Sequence, residues 1–578
     1  MRDDYELAHQ MQRNLTKIFE MAEACGLFEL VGAEVDAEEI LTAGNSFFDK
    51  SYFGTRVLIL APHPDDEINV AGNMILNLAA AKAEIFVAYS TNGDFEVSAD
   101  IRAQEAVDAL KILGVPSEKI ILLGYGDGHK LSDTPTQSPA GHVETYAAKN
   151  FIDYAKKTFG HHSPYTRQNF KRDLKSLLLE LRANIIFCVD FDSHPDHRAL
   201  SIMFEEALGE ILSERDDYHP EVYKKFAYAT AFTAAPDFYA TNLRATLKPK
   251  LGETDTYDFD LIDRANYVWA NRVRFPVLYR QTLLKDNPLA DAIFAHKSQR
   301  NEWNALRILN SDEVFFERRT DSQTFSAKVT ATSGDASKVR DFKIFAENNL
   351  WQPTDAQRKI FFDWDEPAQV RRIVIYGNPL DDTPAKISLR LELADSYAVI
   401  DKARISLDNV KNFSAELPNR GKPLIIDTEK IFVARAEITI VNAGKNFGLS
   451  EVEFFANVEP LRKISPFIKI TVNDNFAYRY SVPYEVDKIS LGLYRFHVDE
   501  PVRITATAGD ENILSEVLTD GKLILNFGKA TEIVVTAEVG DIYDRAIIRR
   551  VGDFAQIQLK VWQWLDKLRV HKIRKVDR

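Results

Sequence analysis

Arg56-Val57-Leu58-Ile59-Leu60-Ala61, followed by Pro62-His63-Pro64-Asp65-Asp66-Glu67, is the stretch that decides the fold. Its first half is a short apolar run rich in branched residues. That pattern fits a strand buried on both faces of a parallel sheet. Its second half is a polar cluster that begins where the strand ends. In an open α/β sheet, ligands bind beyond the carboxyl ends of the strands, at a topological switch point. The same arrangement recurs at Asn184–Asp190 (NIIFCVD), which runs into Phe191-Asp192-Ser193-His194-Pro195-Asp196-His197.

The segments around these two stretches predict an alternation of helices and strands. Gly72–Lys82 reads as a helix, Glu84–Ser90 as a strand, and Ile101–Leu113 as a helix ended by Gly114 and Pro116. Lys119–Leu123 reads as a strand and Gln168–Leu181 as a helix. Such βαβ units predict an α/β domain over residues 51–318, with a Rossmann-like, mostly parallel sheet and flanking helices. Residues 1–50 read as an N-terminal helical segment. From 319 onward helical periodicity gives way to short alternating strands such as Arg371–Tyr376, Ile387–Leu393 and Ala434–Val441. This predicts one β-sandwich over 319–457 and a second, immunoglobulin-like, over 458–553.

Residues 554–578 predict a basic amphipathic C-terminal helix. Ile557, Val561, Trp564, Leu565 and Leu568 share one face, beside Lys560, Lys567, Arg569, Lys572, Arg574, Lys575 and Arg578. Aromatic and basic residues together suit an anionic membrane surface. The alternative is a helix packed on the last β domain with its charges in water.

The 578 residues carry a net charge of −14, which argues against nucleic acid as a partner. Hydrophobic residues at 45% and charged residues at 27% are those of a globular protein. Cys25 and Cys188 cannot make a disulfide framework, and no apolar run has signal-peptide or membrane-spanning length. These features point to the cytoplasm, with the tail as a peripheral contact at the inner face of the membrane. They set no oligomeric state.

The two His/Asp clusters carry the chemistry. A catalytic zinc takes three protein ligands and keeps one position open. His63 and Asp66, three apart on a turn, can reach one ion, and His197 can supply the third ligand. Asp65 is then placed to act as general base on an attacking water. His194 is left as a donor or acid near the reacting carbonyl oxygen or the leaving nitrogen. Pro and Asp also favour plain turns. Two such clusters, each at the end of a buried strand in one domain, outweigh that reading. Asp190, Asp192 and Asp196 crowd the second loop, where some serve to orient ligands. A His-Asp-His set accepts several divalent ions besides Zn2+.

With these motifs in place, residues 55–310 resemble the PIG-L/LmbE-like deacetylases. The matching elements are PHPDDE at 62–67, Thr91-Asn92-Gly93-Asp94, Arg102-x-x-Glu105 with Leu113-Gly114-Val115, Gly126-Asp127-Gly128, HPDH at 194–197, and His296-Lys297-Ser298-Gln299. The resemblance implies zinc held by His63, Asp66 and His197, with Asp65 as base and His194 as acid or electrostatic stabiliser. It also implies substrate contacts from Arg102 and Asp127. The implied substrate is an N-acetylated sugar or glycoconjugate, and the implied reaction releases acetate and an amino sugar. An ion pair to Glu105 is the alternative role for Arg102, and a helix cap the alternative for His296. Two rival functions stand beside deacetylation: an amidase acting on another N-acyl conjugate, and a glycan-binding protein without turnover. The latter has no need of a base such as Asp65.

Residues 129–167 form a long segment after the third strand, near the same crevice. His129, His142, His161, His162 and Tyr165 are candidates for shaping substrate choice, against the alternative of a solvated insertion. Residues 320–456 resemble the galactose-binding-like sandwich of discoidin-type domains, on the cues VTATSG at 329–334, Trp351, Phe361–Asp363 and GLSEVEFF at 448–455. That resemblance implies glycan binding or a spacer role.

Overall fold

The computed structural model describes residues 45–552, apart from 129–131, 192–193, 228–244, 247–271, 279–286, 300–307, 345–348, 380, 382, 395–396, 401–402, 407–408, 419–422, 445 and 461. The expected helices within 1–44 and 554–578 lie outside the described residues, as do His129, Asp192 and Cys25.

The N-terminal unit is an α/β domain around a seven-stranded sheet. Strand β1 (Arg56–Ala61) pairs in parallel with β2 (Glu84–Thr91) on one side and with β4 (Ile185–Val189) on the other. Strand β3 (Ile120–Tyr125) extends the sheet beyond β2, and β5 (Glu221–Lys225) extends it beyond β4, both in parallel. Two antiparallel strands, β6 (Arg272–Pro276) and β7 (Asp312–Arg318), complete the order β3-β2-β1-β4-β5-β7-β6. The strand order reverses between β1 and β4, so the two motif-bearing strands are neighbours at the switch point. Beyond Arg56, β1 is buried throughout, and so is the whole of β4, as their unbroken apolar runs require.

Both motifs continue into helices. Helix α1 spans Asp66–Ala80 and is broken by non-helical dihedrals at Ala71. The helix expected from Gly72 is its second half; the first turn lies inside the PHPDDE motif. Helix α2 (Ala99–Ile112) follows β2. The short α3 (Tyr154–Phe159) and α4 (Arg167–Leu181) follow β3. Helix α5 (Pro195–Glu214) starts inside HPDH, with His194 as N-cap and Pro195 at the first helical position. Helix α6 (Pro288–Ala295) ends at His296.

Antiparallel β-sheet units follow. In the first, the six-stranded sheet is built on two 19-residue strands, β8 (Lys359–Gly377) and β9 (Leu424–Asn442). Register shifts near residues 427–431 and 433–435 interrupt their pairing. Trp351, one of the sequence cues for the galactose-binding-like sandwich, is fully buried in this core, and its indole N–H donates to Ser333 O at 2.8 Å. It is a packing residue. The last unit pairs a four-stranded and a five-stranded sheet over one core that includes Ile470, Leu491, Val535 and Ile548.

The changes of sheet along the chain are not gaps in packing. Phe467 and Phe496 of the last unit join the α/β core, with ring centroids 6.0 and 5.3 Å from Phe275. Phe191 and Phe316 share a second cluster with Val374, Tyr376 and Phe455 of the middle unit. Asn45 donates to Asp544 at 2.7 Å, which ties the start of the described chain to its end. Among the described residues, no helix is long and apolar enough to cross a membrane.

Candidate metal centre

The crevice between the ends of β1 and β4 collects the ionisable residues of both motifs. His63 leaves β1 on a short turn, and Asp66 opens α1, where acidic residues are favoured near the helix N-terminus. The His63 Nδ1 atom lies 2.8 Å from Asp66 Oδ2. The same carboxylate oxygen lies 3.2 Å from His197 Nε2, at the start of α5. Three residues expected to share an ion are thus gathered around one carboxylate oxygen. His194 stands beside them, with ring centroids 4.9 Å from His63 and 4.7 Å from His197. One donor atom from each of His63, His194 and His197 can be chosen so that all three lie within 4.8 Å of one another.

A second group shares His63. Its Nε2 lies 3.2 Å from Asp127 Oδ1 and 3.2 Å from Asp196 Oδ2, and these three donors also meet the same distance condition. Asp127, expected as a substrate contact, sits against the cluster itself. Asp196 is tied to the loop after β3 by the Gly128 N–H at 2.9 Å. His63, Asp66, Asp196 and His197 are all buried.

This environment sets the charges. Burial opposes the charged form of His63, but hydrogen bonds to Asp127, Asp196 and Asp66 hold its pKa well above the usual imidazole value. Burial also works against the Asp66 carboxylate, yet His197 and His63 hold its pKa well below the carboxylate range. Asp127 is lowered in the same way, by His63 and Arg102 against burial. His194 is pushed down, by burial first and then by His197 and His63. Its Nδ1 accepts the Asp196 N–H at 3.3 Å, which leaves the ring proton of the neutral imidazole on Nε2. Two imidazoles and a carboxylate around a buried point are a donor set that suits a divalent cation such as zinc.

Asp65 differs from its expectation in one respect. It does not stand free: Arg102 Nη2 donates to its Oδ1 at 2.7 Å and to Pro64 O at 2.8 Å. Burial raises the Asp65 pKa, and Arg102 opposes the rise. The alternative Arg102–Glu105 pair is not formed, since Glu105 accepts from Ser298 N–H at 2.8 Å and Ser298 Oγ at 2.6 Å.

Sequence reasoning passed over Glu67, although it belongs to the PHPDDE motif. Glu67 accepts the Asp65 N–H at 2.8 Å and lies 2.7 Å from His296 Nε2. His296 is therefore both a helix end and a member of the buried network.

The segment after β3 is part packed and part solvated: Thr145, Asp153, Ser163 and Tyr165 are buried, whereas His142 and His161 are exposed. Asn92 Nδ2 donates to Tyr146 O at 2.9 Å, and the Tyr146 hydroxyl donates to Asp94. His142 stacks on Tyr146 at 3.9 Å between centroids. Tyr165 is fully buried against Tyr125, so it is core and cannot meet a substrate. His161 bonds the His162 carbonyl, and His162 pairs with Asp153 at 2.8 Å.

Comparison with known proteins bears on this geometry. Residues 58–208 match the PIG-L family, described as GlcNAc-PI de-N-acetylase. The PIG-L match contains β1, β4 and both clusters. A curated relative, N-acetylglucosaminyl-phosphatidylinositol de-N-acetylase of Bos taurus, is 29% identical over 74 residues. The aligned part is 13% of this chain and 29% of the relative, so the chain spans under a third of that protein's length. Among solved structures, N,N'-diacetylchitobiose deacetylase from Pyrococcus horikoshii aligns over 52% of this chain and 93% of its own, at 18% identity and TM-score 0.27. A deacetylase of the teicoplanin biosynthesis pathway aligns over 46% and 99%, at 16% identity and TM-score 0.26.

Proposed function

We propose that this chain is a metal-dependent hydrolase that removes the acetyl group from an N-acetylated sugar, releasing acetate and an amino sugar. The observation that carries the reading is the meeting of His63, Asp66 and His197 around one carboxylate oxygen, with Asp65 and His194 alongside, inside the PIG-L match. The names of the relatives supply the substrate class.

His63, Asp66 and His197 would hold the ion, with Zn2+ the best fit to two imidazoles and a carboxylate. A bound zinc supplies Lewis-acid polarisation of the amide carbonyl and acidifies water. Asp65 takes a proton from the attacking water. Arg102, on Asp65 and the Pro64 carbonyl, fixes the direction of that carboxylate. His194, neutral and carrying its proton on Nε2, donates to the oxygen of the amide as charge develops there. The proton held by Asp65 then passes to the leaving nitrogen. Arg102 and Asp127, both buried against the cluster, are assigned to the sugar hydroxyls.

The test is acetate release from a panel of N-acetylated sugars, free and lipid-linked, with Asp65→Asn as control. No acetate from any member would overturn the reading, and amine release without acetate would favour an amidase of other N-acyl conjugates. The basic tail at 554–578 is assigned to an anionic membrane surface, which would suit a lipid-linked substrate. Liposome sedimentation at low and high salt, with and without the tail, decides that point.

A further inference from the structure

Asp65 is held in an unusual backbone conformation. Its φ is 142° and its ψ is −24°, outside the regions that L residues ordinarily occupy. Such a conformation persists only where the surroundings over-determine it. Part of that restraint is local: Arg102 fixes the preceding carbonyl and the side chain. The N–H of Asp65 is fixed separately, by Glu67 Oε2 at 2.8 Å. Glu67 is itself anchored, since its other oxygen lies 2.7 Å from His296 Nε2, and both side chains are fully buried. His296 enters from the end of α6, 229 positions further along the chain. Two contacts at Glu105, from Ser298 N–H and Oγ, hold the segment after α6 against α2.

We propose that His296 is a positioning residue: through Glu67 it holds the Asp65 peptide at positive φ, and so sets the direction in which the Asp65 carboxylate meets the His63–His197 cluster. This rests on the reading of Asp65 as the base. His296 is fully buried beside Glu67 and acts through it. Its chain of action is Nε2 to Glu67, Glu67 to the Asp65 N–H, and the Asp65 backbone to its carboxylate.

The experiment compares His296→Gln, whose amide nitrogen can reach Glu67, with His296→Asn, which is too short. Metal content, KM, kcat and the crystal structure of each variant are measured. His296→Asn should keep its metal and its KM but lose roughly 10–100-fold in kcat, the usual effect of removing an outer-shell partner. His296→Gln should recover most of that loss. In an Asp65→Asn background, His296→Asn should cost nothing further, because both changes act on one unit. The His296→Asn structure should show Asp65 relaxed to negative φ. An equal additional loss in the Asp65→Asn background, or Asp65 still at positive φ in that structure, would overturn the proposal. Should His296→Asn fail to fold, Glu67→Asp withdraws the carboxylate by one methylene and is read the same way. If the unmodified protein released no acetate from any substrate, the functional reading would fall. The Asp65 backbone in the variant structures would still decide this inference.

Discussion

Two clusters of buried charge draw on the segment that follows β4, and they are built on opposite principles. In one, Lys224 Nζ lies 3.1 Å from Asp190 Oδ1, donates to Ser201 Oγ at 2.7 Å and pairs with Glu205. Burial raises the Glu205 pKa, against Lys224 and Arg318, and Arg318 pairs with Glu453 at 3.3 Å. Each carboxylate there has a cation. In the other, Asp65, Asp66, Asp127 and Asp196 gather around His63, His194 and His197, with Arg102 as the permanent cation in contact. In the first cluster every carboxylate meets a Lys or Arg, three carboxylates on two cations; in the second, Asp66 and Asp196 meet imidazoles rather than Lys or Arg. A buried charge must be paired or coordinate a metal, so under the proposed function the second cluster is the one that would receive a cation.

The largest effects should separate the two clusters outright. His63→Ala, Asp66→Ala or His197→Ala is expected to strip the metal and reduce acetate release to the blank, while Lys224→Met keeps full metal content. Elemental analysis of the purified variants checks both halves; full occupancy in any of the first three removes that residue from the ligand set. Next in size, Asp65→Asn should retain the metal and lose about 10²–10⁴-fold in turnover, the usual contribution of a general base. Near-native turnover in that variant would reassign the base. Smaller in its effect on chemistry is the closed cluster. Lys224→Met leaves Asp190 and Glu205 buried beside each other without their cation, and breaking such a pair costs about 3–5 kcal/mol. Denaturant unfolding measures it; a loss under 1 kcal/mol would mean that the cluster relaxes by taking up protons.

How much of this could be read from the sequence follows the range of the interactions. The strand ends at 61 and 189 were legible because an apolar run that stops at a His/Asp cluster is a local pattern. The start of α1 was not: residues 66–69 are Asp, Glu, Ile and Asn, all buried, so the first turn shows no apolar periodicity. The Glu67–His296 contact spans 229 positions and leaves no periodic trace. Tyr165 read as a candidate rim residue because aromatic residues suit both cores and binding sites, and only packing separates the two. Strands β8 and β9 read from the sequence only as fragments, because bulges break the alternation that marks a strand.

A half-buried carboxyl outside both clusters sharpens the comparison, because it is managed in yet another way. Glu221, on β5, accepts the backbone N–H groups of Lys463 and Ile464 at the seam with the last β unit. Burial pushes its pKa up to about 7, and Glu317 adds to the rise, against those N–H groups and Arg462. Where the His63–His197 cluster keeps Asp66 ionised, this site keeps a proton below about pH 7. In the unfolded chain Glu221 should titrate near its ordinary 4.5. The folded state therefore binds the proton more tightly, and stability should fall as pH rises from about 4.5 to about 7. A shift of that size corresponds to roughly 3 kcal/mol at most. Glu221→Gln should flatten this part of the stability profile and gain most above pH 7, where the native carboxyl has had to ionise in place. The difference between the two proteins in urea unfolding, measured at half-unit steps of pH, isolates this group from the other titrating residues. An unchanged slope in Glu221→Gln would place the pH dependence elsewhere, and a loss of stability confined to pH above 7 would show that the seam needs the carboxylate rather than the acid.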